Sequence, residues 1–121
     1  MSAEKGTPRY MSPEQVDGKL SFKIDIWALG CVLLQFATGL APFHKINNDM
    51  AVGLEIYRGL SPLEYIYKHA DADQLDMVED HETFKDLLKL CFTRNYSKRP
   101  SATDLMDHEF FADYIKEFRD F

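Results

Sequence analysis

Lys23-Ile-Asp-Ile-Trp-Ala-Leu-Gly-Cys-Val-Leu-Leu-Gln-Phe-Ala-Thr38 decides how the chain reads. The segment is apolar on nearly every face. Ser21 precedes it as a candidate N-cap, and Gly39 followed by Pro42 is a stop signal. A helix of this kind should be surrounded by protein on all sides. Its longest uninterrupted apolar run, Ile26 to Leu34, is nine residues. A membrane span needs about 20, so no membrane association is expected. Asp25 is the exception to the apolar pattern. A carboxylate in the first turn of a buried helix is costly unless it has a partner. Two partners fit: the N-terminal dipole of its own helix, or the backbone amides of another segment.

Upstream, Gly6, Pro8, Pro13 and Gly18 make residues 1–18 an irregular stretch with one short turn starting at Ser12. Ser12-Pro13-Glu14-Gln15 has the residues of a capped helix start. Downstream, Asn48 or Asp49 caps a helix that ends at Gly59. Ser61-Pro62-Leu63-Glu64 opens another, running to about His69. Asp71, Asp73, Asp76, Glu79, Asp80 and Glu82 then read as a solvated acidic loop or face. Phe84, Leu87, Leu88 and Cys91 stand at i, i+3, i+4 and i+7, the spacing of an amphipathic helix. Residues 95–100 break it, Ser101 caps the next helix, and Phe111, Tyr114, Ile115 and Phe118 form a helical stripe in the tail. No stretch alternates with period two. The expected fold class is all-α, in one domain.

Composition agrees and excludes several functions. The 121 residues are 45% apolar and 28% charged, which is globular composition. Lys and Arg number 14 against 20 Asp and Glu, a net charge of −6. Nucleic acid is therefore not an expected partner, because binding its backbone needs clustered cations. Cys31 and Cys91 each sit in an apolar stretch and read as buried reduced thiols, so a cytoplasmic location is expected. His44, His69, His81 and His108 have no helical-spacing partners and read as surface residues; no metal site is expected. No two glycines stand two apart, so no Gly-x-Gly phosphate cradle exists.

Five motifs in order rise above this background. Gly6-Thr7-Pro8-Arg9-Tyr10-Met11-Ser12-Pro13-Glu14 resembles the end of the activation segment of eukaryotic protein kinases. Asp25-Ile-Trp27-Ala-Leu-Gly30 resembles the family's central buried helix, and Thr38-Gly39-Leu-Ala-Pro42-Phe43 the turn after it. Arg94-Asn-Tyr-Ser-Lys98-Arg99-Pro100 resembles the Asp-Pro-x-x-Arg-Pro element, and Asp107-His108-Glu109-Phe110-Phe111 the closing His-Pro-Phe-Phe. The pattern is similar to the Ser/Thr branch, in the style of MAP kinase kinase kinases and sterile-type kinases. Arg94-Asn95 in place of Asp-Pro and Glu109 in place of Pro are departures, and the 58–82 segment is longer than in compact relatives.

The resemblance implies roles for particular residues. Thr7, Pro8, Arg9, Tyr10 and Met11 would form the substrate loop, with Thr7 bonded to the catalytic loop. Glu14 and Arg99 would form a structural ion pair. Asp25 would anchor the catalytic loop, and Trp27 and Gly30 would pack the central helix. By this likeness residues 1–18 end the activation segment, 21–39 form the central helix and 40–121 the remaining helices. The expected fold is the helical C-lobe portion of the protein-kinase-like fold, without the N-lobe, catalytic loop or metal-binding loop. Phosphoryl transfer needs a phosphate cradle, metal-binding groups and an Asp at the substrate hydroxyl. In family order these precede Gly6. The chain is therefore expected to hold no catalytic residue, cofactor or metal of its own, with ATP and Mg implied only for the full-length family. The expected partners are a protein substrate or the missing kinase half, and the isolated chain is expected to self-associate, to be molten or to need a partner that supplies that half. The alternative reading is a non-catalytic kinase-like interaction module.

Overall fold

The computed structural model describes residues 8–112. A single 3-10 turn at Pro8–Tyr10 leads into α1 (Pro13–Val16), α2 (Ile24–Thr38), α3 (Asp49–Arg58), α4 (Pro62–His69), α5 (Ala72–Glu79), α6 (Glu82–Cys91) and α7 (Ala102–Met106). Among the described residues there is no strand, so the fold is all-α, and no helix is long and apolar enough to cross a membrane.

The helix boundaries follow from cap chemistry. Asn48 accepts the Ala51 amide at 3.1 Å, and α3 ends at Gly59, whose φ of 116° is open to glycine at little cost. Ser61 and Glu64 cap α4 reciprocally, side chain to backbone, at 3.1 and 3.3 Å. Ser101 and Asp104 do the same for α7, both at 3.1 Å.

Helix α2 is the axis of the core. Its Trp27, Cys31 and Leu34 meet Leu63 and Ile66 of α4, Val78 of α5, Phe84 and Leu88 of α6, and Phe92. Ile26 joins Leu87, Cys91 and Leu105 on an adjoining side. Gly30 permits the close approach of α2 to α6: a Cβ there would stand 2.7 Å from Cys91 Cβ and 3.1 Å from the Phe92 ring. A separate cluster of Phe43, Val52, Ile56 and Tyr65 seats α3. Cys31 and Cys91 are free and buried. Burial, with Cys91 alongside, pushes the Cys31 thiol up to about 12, and burial pushes Cys91 to about 11, so both stay protonated and unreactive at neutral pH.

Three expectations from sequence are corrected and one is narrowed. Ser21 does not cap α2. The helix starts at Ile24 with Lys23 as its flanking residue, because the Ser21 hydroxyl accepts the Lys23 amide two residues on and donates to Glu14. Nor is α2 enclosed on every side: Leu29, Val32 and Phe36 stand exposed along one stripe. Of the two readings of the acidic run 71–82, loop or face, the solvated face holds: all six acids are exposed, most of them on or beside α5. Asp71 and Gln74 start α5, with Gln74 accepting the Asp71 amide at 2.9 Å, and buried Val78 fixes its inner face. Finally, His44 and His108 are not simple surface residues. His44 packs edge-on to Tyr65 at 5.7 Å, and the His108 ring bonds Asp86 at 2.7 Å with its side chain largely covered. Thr7 and the tail residues Tyr114, Ile115 and Phe118 lie outside the described residues; Phe111 packs beside Phe110 at 5.3 Å.

Candidate functional site

Arg99 is the joint on which the site hangs. Its side chain has no exposed surface, and its two terminal nitrogens fork onto the Glu14 carboxylate at 2.8 and 2.9 Å. The remaining donors reach the carbonyls of Lys23 at 2.8 Å, Thr93 at 2.9 Å and Arg94 at 3.3 Å. All five guanidinium N–H groups are thereby used, and the guanidinium lies 5.2 Å from the Trp27 ring centroid. Trp27 in turn meets Phe92 edge to face at 5.1 Å. One cation thus ties α1, the entry to α2 and the 93–95 turn together.

Burial pushes the Glu14 carboxyl up, but the Arg99 hydrogen bonds, its own backbone amide and the guanidinium charge outweigh that. The net result is a pKa below the ordinary 4.5. The pair is therefore ionised at neutral pH. Forked geometry and complete donor use are what make a buried pair of this kind tolerable against its desolvation.

The 8–11 segment lies against α3 and α2. The Met11 amide donates to Pro8 O at 3.0 Å and closes the turn. The Tyr10 hydroxyl donates to Gln35 Oε1 of α2 at 2.6 Å. The Arg9 guanidinium turns inward and donates to the carbonyls of Pro42 at 3.2 Å, Phe43 at 2.7 Å and Ile46. Those three carbonyls line a turn in which Phe43 holds a positive φ of 55°, an uncommon conformation for a bulky residue. Arg9 is therefore spent on the backbone of the scaffold, and its charge does not face outward as a free cation.

A third arginine works the same way. Arg94 donates to Ile56 O at 2.8 Å and Tyr57 O at 2.6 Å, closing the C-terminal end of α3 with a positive charge where the helix dipole is negative. Sequence reading missed the roles of Arg9, Arg94 and Gln35, because each binds a partner 25 or more residues away and nothing local marks it.

Asp25 is exposed on the first turn of α2 and has no hydrogen-bond or ion-pair partner among the described residues. The structure thus brings Glu14, Arg99 and Trp27 together, seats Gly30 against Cys91 and Phe92, and holds Arg9 and Tyr10 against the 42–46 turn and α2, while Asp25 stands exposed. Among the described residues no three His, Cys, Asp or Glu side chains converge as a metal site.

Sequence comparison identifies the architecture. The protein kinase domain family matches residues 1–111. The chain is similar to germinal center kinase 3 of Caenorhabditis elegans, 36% identical over 88% of this chain and 17% of that protein. It is also similar to the MAP kinase kinase kinase wis4 of Schizosaccharomyces pombe, 33% identical over 93% of this chain and 8% of that one. A third relative is the serine/threonine-protein kinase pakC of Dictyostelium discoideum, 33% identical over 87% and 20%. The chain spans a fifth or less of the length of each.

Proposed function

The chain belongs to the protein kinase domain family, and from that premise we propose that it is the substrate-side helical scaffold of a Ser/Thr protein kinase domain. In this reading Pro8 to Met11 form the ledge against which a protein substrate is held beside its phosphoacceptor. ATP-dependent phosphorylation of Ser or Thr belongs to the whole protein. The observation that carries the reading is the Arg99 joint, which fixes the ledge-bearing segment to the core helix through bonds spanning 5 to 85 residues of sequence, with every donor used. The Dictyostelium relative, a serine/threonine-protein kinase, supports the Ser/Thr class. A cytoplasmic location goes with it, supported by two free buried thiols.

The residues described do not fit Mg-ATP, since no carboxylate cluster is present to hold the metal. The 121-residue chain by itself is therefore proposed to bind no ATP and to transfer no phosphate. Titration calorimetry with Mg-ATP, together with a phosphotransfer assay on a generic Ser/Thr protein, tests this. Saturable micromolar binding or turnover above a blank overturns it. The scaffold role is tested separately by grafting residues 8–111 into the corresponding part of an active relative. The chimera is expected to retain phosphotransfer, and a folded but inactive chimera counts against the reading.

One observation favours a second reading, that of a non-catalytic interaction module. The exposed apolar stripe on α2 gives the chain a surface ready for a macromolecular partner.

A further inference from the structure

The turn at 42–46 fastens the 8–11 segment, and it carries a histidine. Arg9 donates to Pro42 O at 3.2 Å, to Phe43 O at 2.7 Å and to Ile46 O. Phe43 O also accepts the Ile46 amide at 2.9 Å, which closes the turn. Phe43 keeps its φ of 55° with its side chain buried against Tyr65 of α4, ring centroids 5.1 Å apart. His44 follows directly. Its ring stands edge-on to the same Tyr65 at 5.7 Å, and Tyr65 stacks on His69 at 4.1 Å. Arg9 and His44 therefore hold one turn by two different means, the first through its carbonyls and the second through its seat on α4.

His44 Nδ1 is buried and has no hydrogen-bond partner among the described residues. A neutral imidazole accepts this position by carrying its one proton on Nε2. A charged imidazole bears a proton on both nitrogens, so an N–H would be buried with no acceptor. The charges nearby make that worse. Lys45 is the next residue, His69 lies beyond Tyr65, and the Arg9 guanidinium sits on the carbonyl of the residue before. Burial first, then Lys45 and His69, hold the His44 pKa below the ordinary 6.5.

We propose that His44 is a proton-operated release for the substrate ledge: neutral, it seats the turn that Arg9 grips, and protonated, it unseats that turn and loosens residues 8–11. The sign follows from where the proton is held better. A histidine whose pKa is depressed in the closed turn takes its proton more readily once the turn opens. Closure is therefore complete above the ordinary 6.5 and weakens as pH falls below it towards the lower closed-state value. His44 is a positioning residue, acting on the ledge through the 42–46 carbonyls and Arg9. The effect on substrate rests on the reading of 8–11 as the ledge, whereas the coupling of His44 to Arg9's turn does not.

Amide hydrogen exchange of the 121-residue chain at about pH 7.5 and about pH 5.5, corrected for the intrinsic pH dependence of exchange, tests the coupling. The reporters are the Ile46 amide, bonded to Phe43 O, and the Met11 amide, bonded to Pro8 O. Protection of both should fall about threefold to tenfold on acidification, the upper figure being the limit for a group that titrates one pH unit above the lower condition. The Phe92 amide, bonded to Leu88 O, reports the remote core and should not respond. His44→Gln and His44→Phe each fill the site without a titrating ring, and in both the fall at Ile46 and Met11 should vanish. In the chimera carrying residues 8–111, KM for a protein substrate should rise by a similar factor over the same interval with kcat less affected, and His44→Gln should remove the rise. Protection at Ile46 and Met11 that ignores pH, or that falls equally in both variants, overturns the proposal. A fall in protection with an unchanged KM sustains the coupling of His44 to the turn and overturns the ledge reading instead.

Discussion

On one side of α2, Trp27, Gly30, Cys31 and Leu34 face the rest of the core with almost no exposure; on the other, Leu29, Val32 and Phe36 face outward. Composition does not separate the two sides, since both are apolar. What differs is what stands opposite. On the closed side Gly30 admits Cys91 and Phe92 to within contact, and the Arg99 guanidinium covers Trp27. On the open side no described element crosses the stripe. Hydropathy thus tells that a helix wants cover, while the shape and chemistry of its neighbours decide which face receives it.

The strongest way to break this contrast is at the closed side's charged joint. Arg99→Ala leaves Glu14 buried without its cation and should cost about 3–5 kcal/mol, measured as a lowered urea midpoint at neutral pH. Two exposed charges would lose under about 1 kcal/mol, so a loss that small would show that the joint is open to water. Acid sharpens the same test. The folded-state pKa of Glu14 is depressed, so the pair's contribution is complete above its ordinary 4.5 and is lost as pH falls through the lower folded value. The gap between the parent and Arg99→Ala should therefore narrow below that pH in urea titrations. A gap independent of pH would count against an ionised pair.

A smaller effect is expected where the closed side is tightest. Gly30→Ala drives a methyl group to 2.7 Å from Cys91 Cβ. Helix propensity favours alanine by about 1 kcal/mol, yet overpacking should dominate and leave a net loss of about 1–2 kcal/mol in thermal or chemical unfolding. A stabilised Gly30→Ala variant would show that α2 and α6 separate readily. The smallest effect belongs to the open side. Val32→Ser, followed at concentrations low enough to keep the chain monomeric, should change stability by less than about 0.5 kcal/mol. A loss as large as that of Gly30→Ala would mean that the open stripe is covered within the monomer.

Much of the fold was legible because its signals are local. The caps at Asn48, Ser61 and Ser101, the stop at Gly59 and the four-residue stripe of α6 act within one or two helical turns. Where two local signals competed, the reading stayed open or failed. For 71–82 the reading left loop and face open, because only Leu75 and Val78 mark the inner side of α5 among six acids. Ser21 looked like a cap, but its hydroxyl was claimed by Glu14 and the Lys23 amide. The motif likeness reached further than periodicity could, pointing to Glu14 and Arg99 across 85 positions. It placed Arg9 in the substrate loop and Arg94 at a departure from the family's turn, but gave no sign of the backbone carbonyls that either one binds.

The sequence by itself determined that the chain is helical, where most of its helices begin and end, and that it belongs among the protein kinase domains, because capping, periodicity and ordered motifs are all written along the chain. The tertiary structure alone decided which apolar face of α2 is closed and that three arginines are spent inside the scaffold. Those outcomes depend on carbonyls, rings and a glycine gap contributed by segments 25 to 85 residues apart, and such partners acquire their positions only when the helices pack.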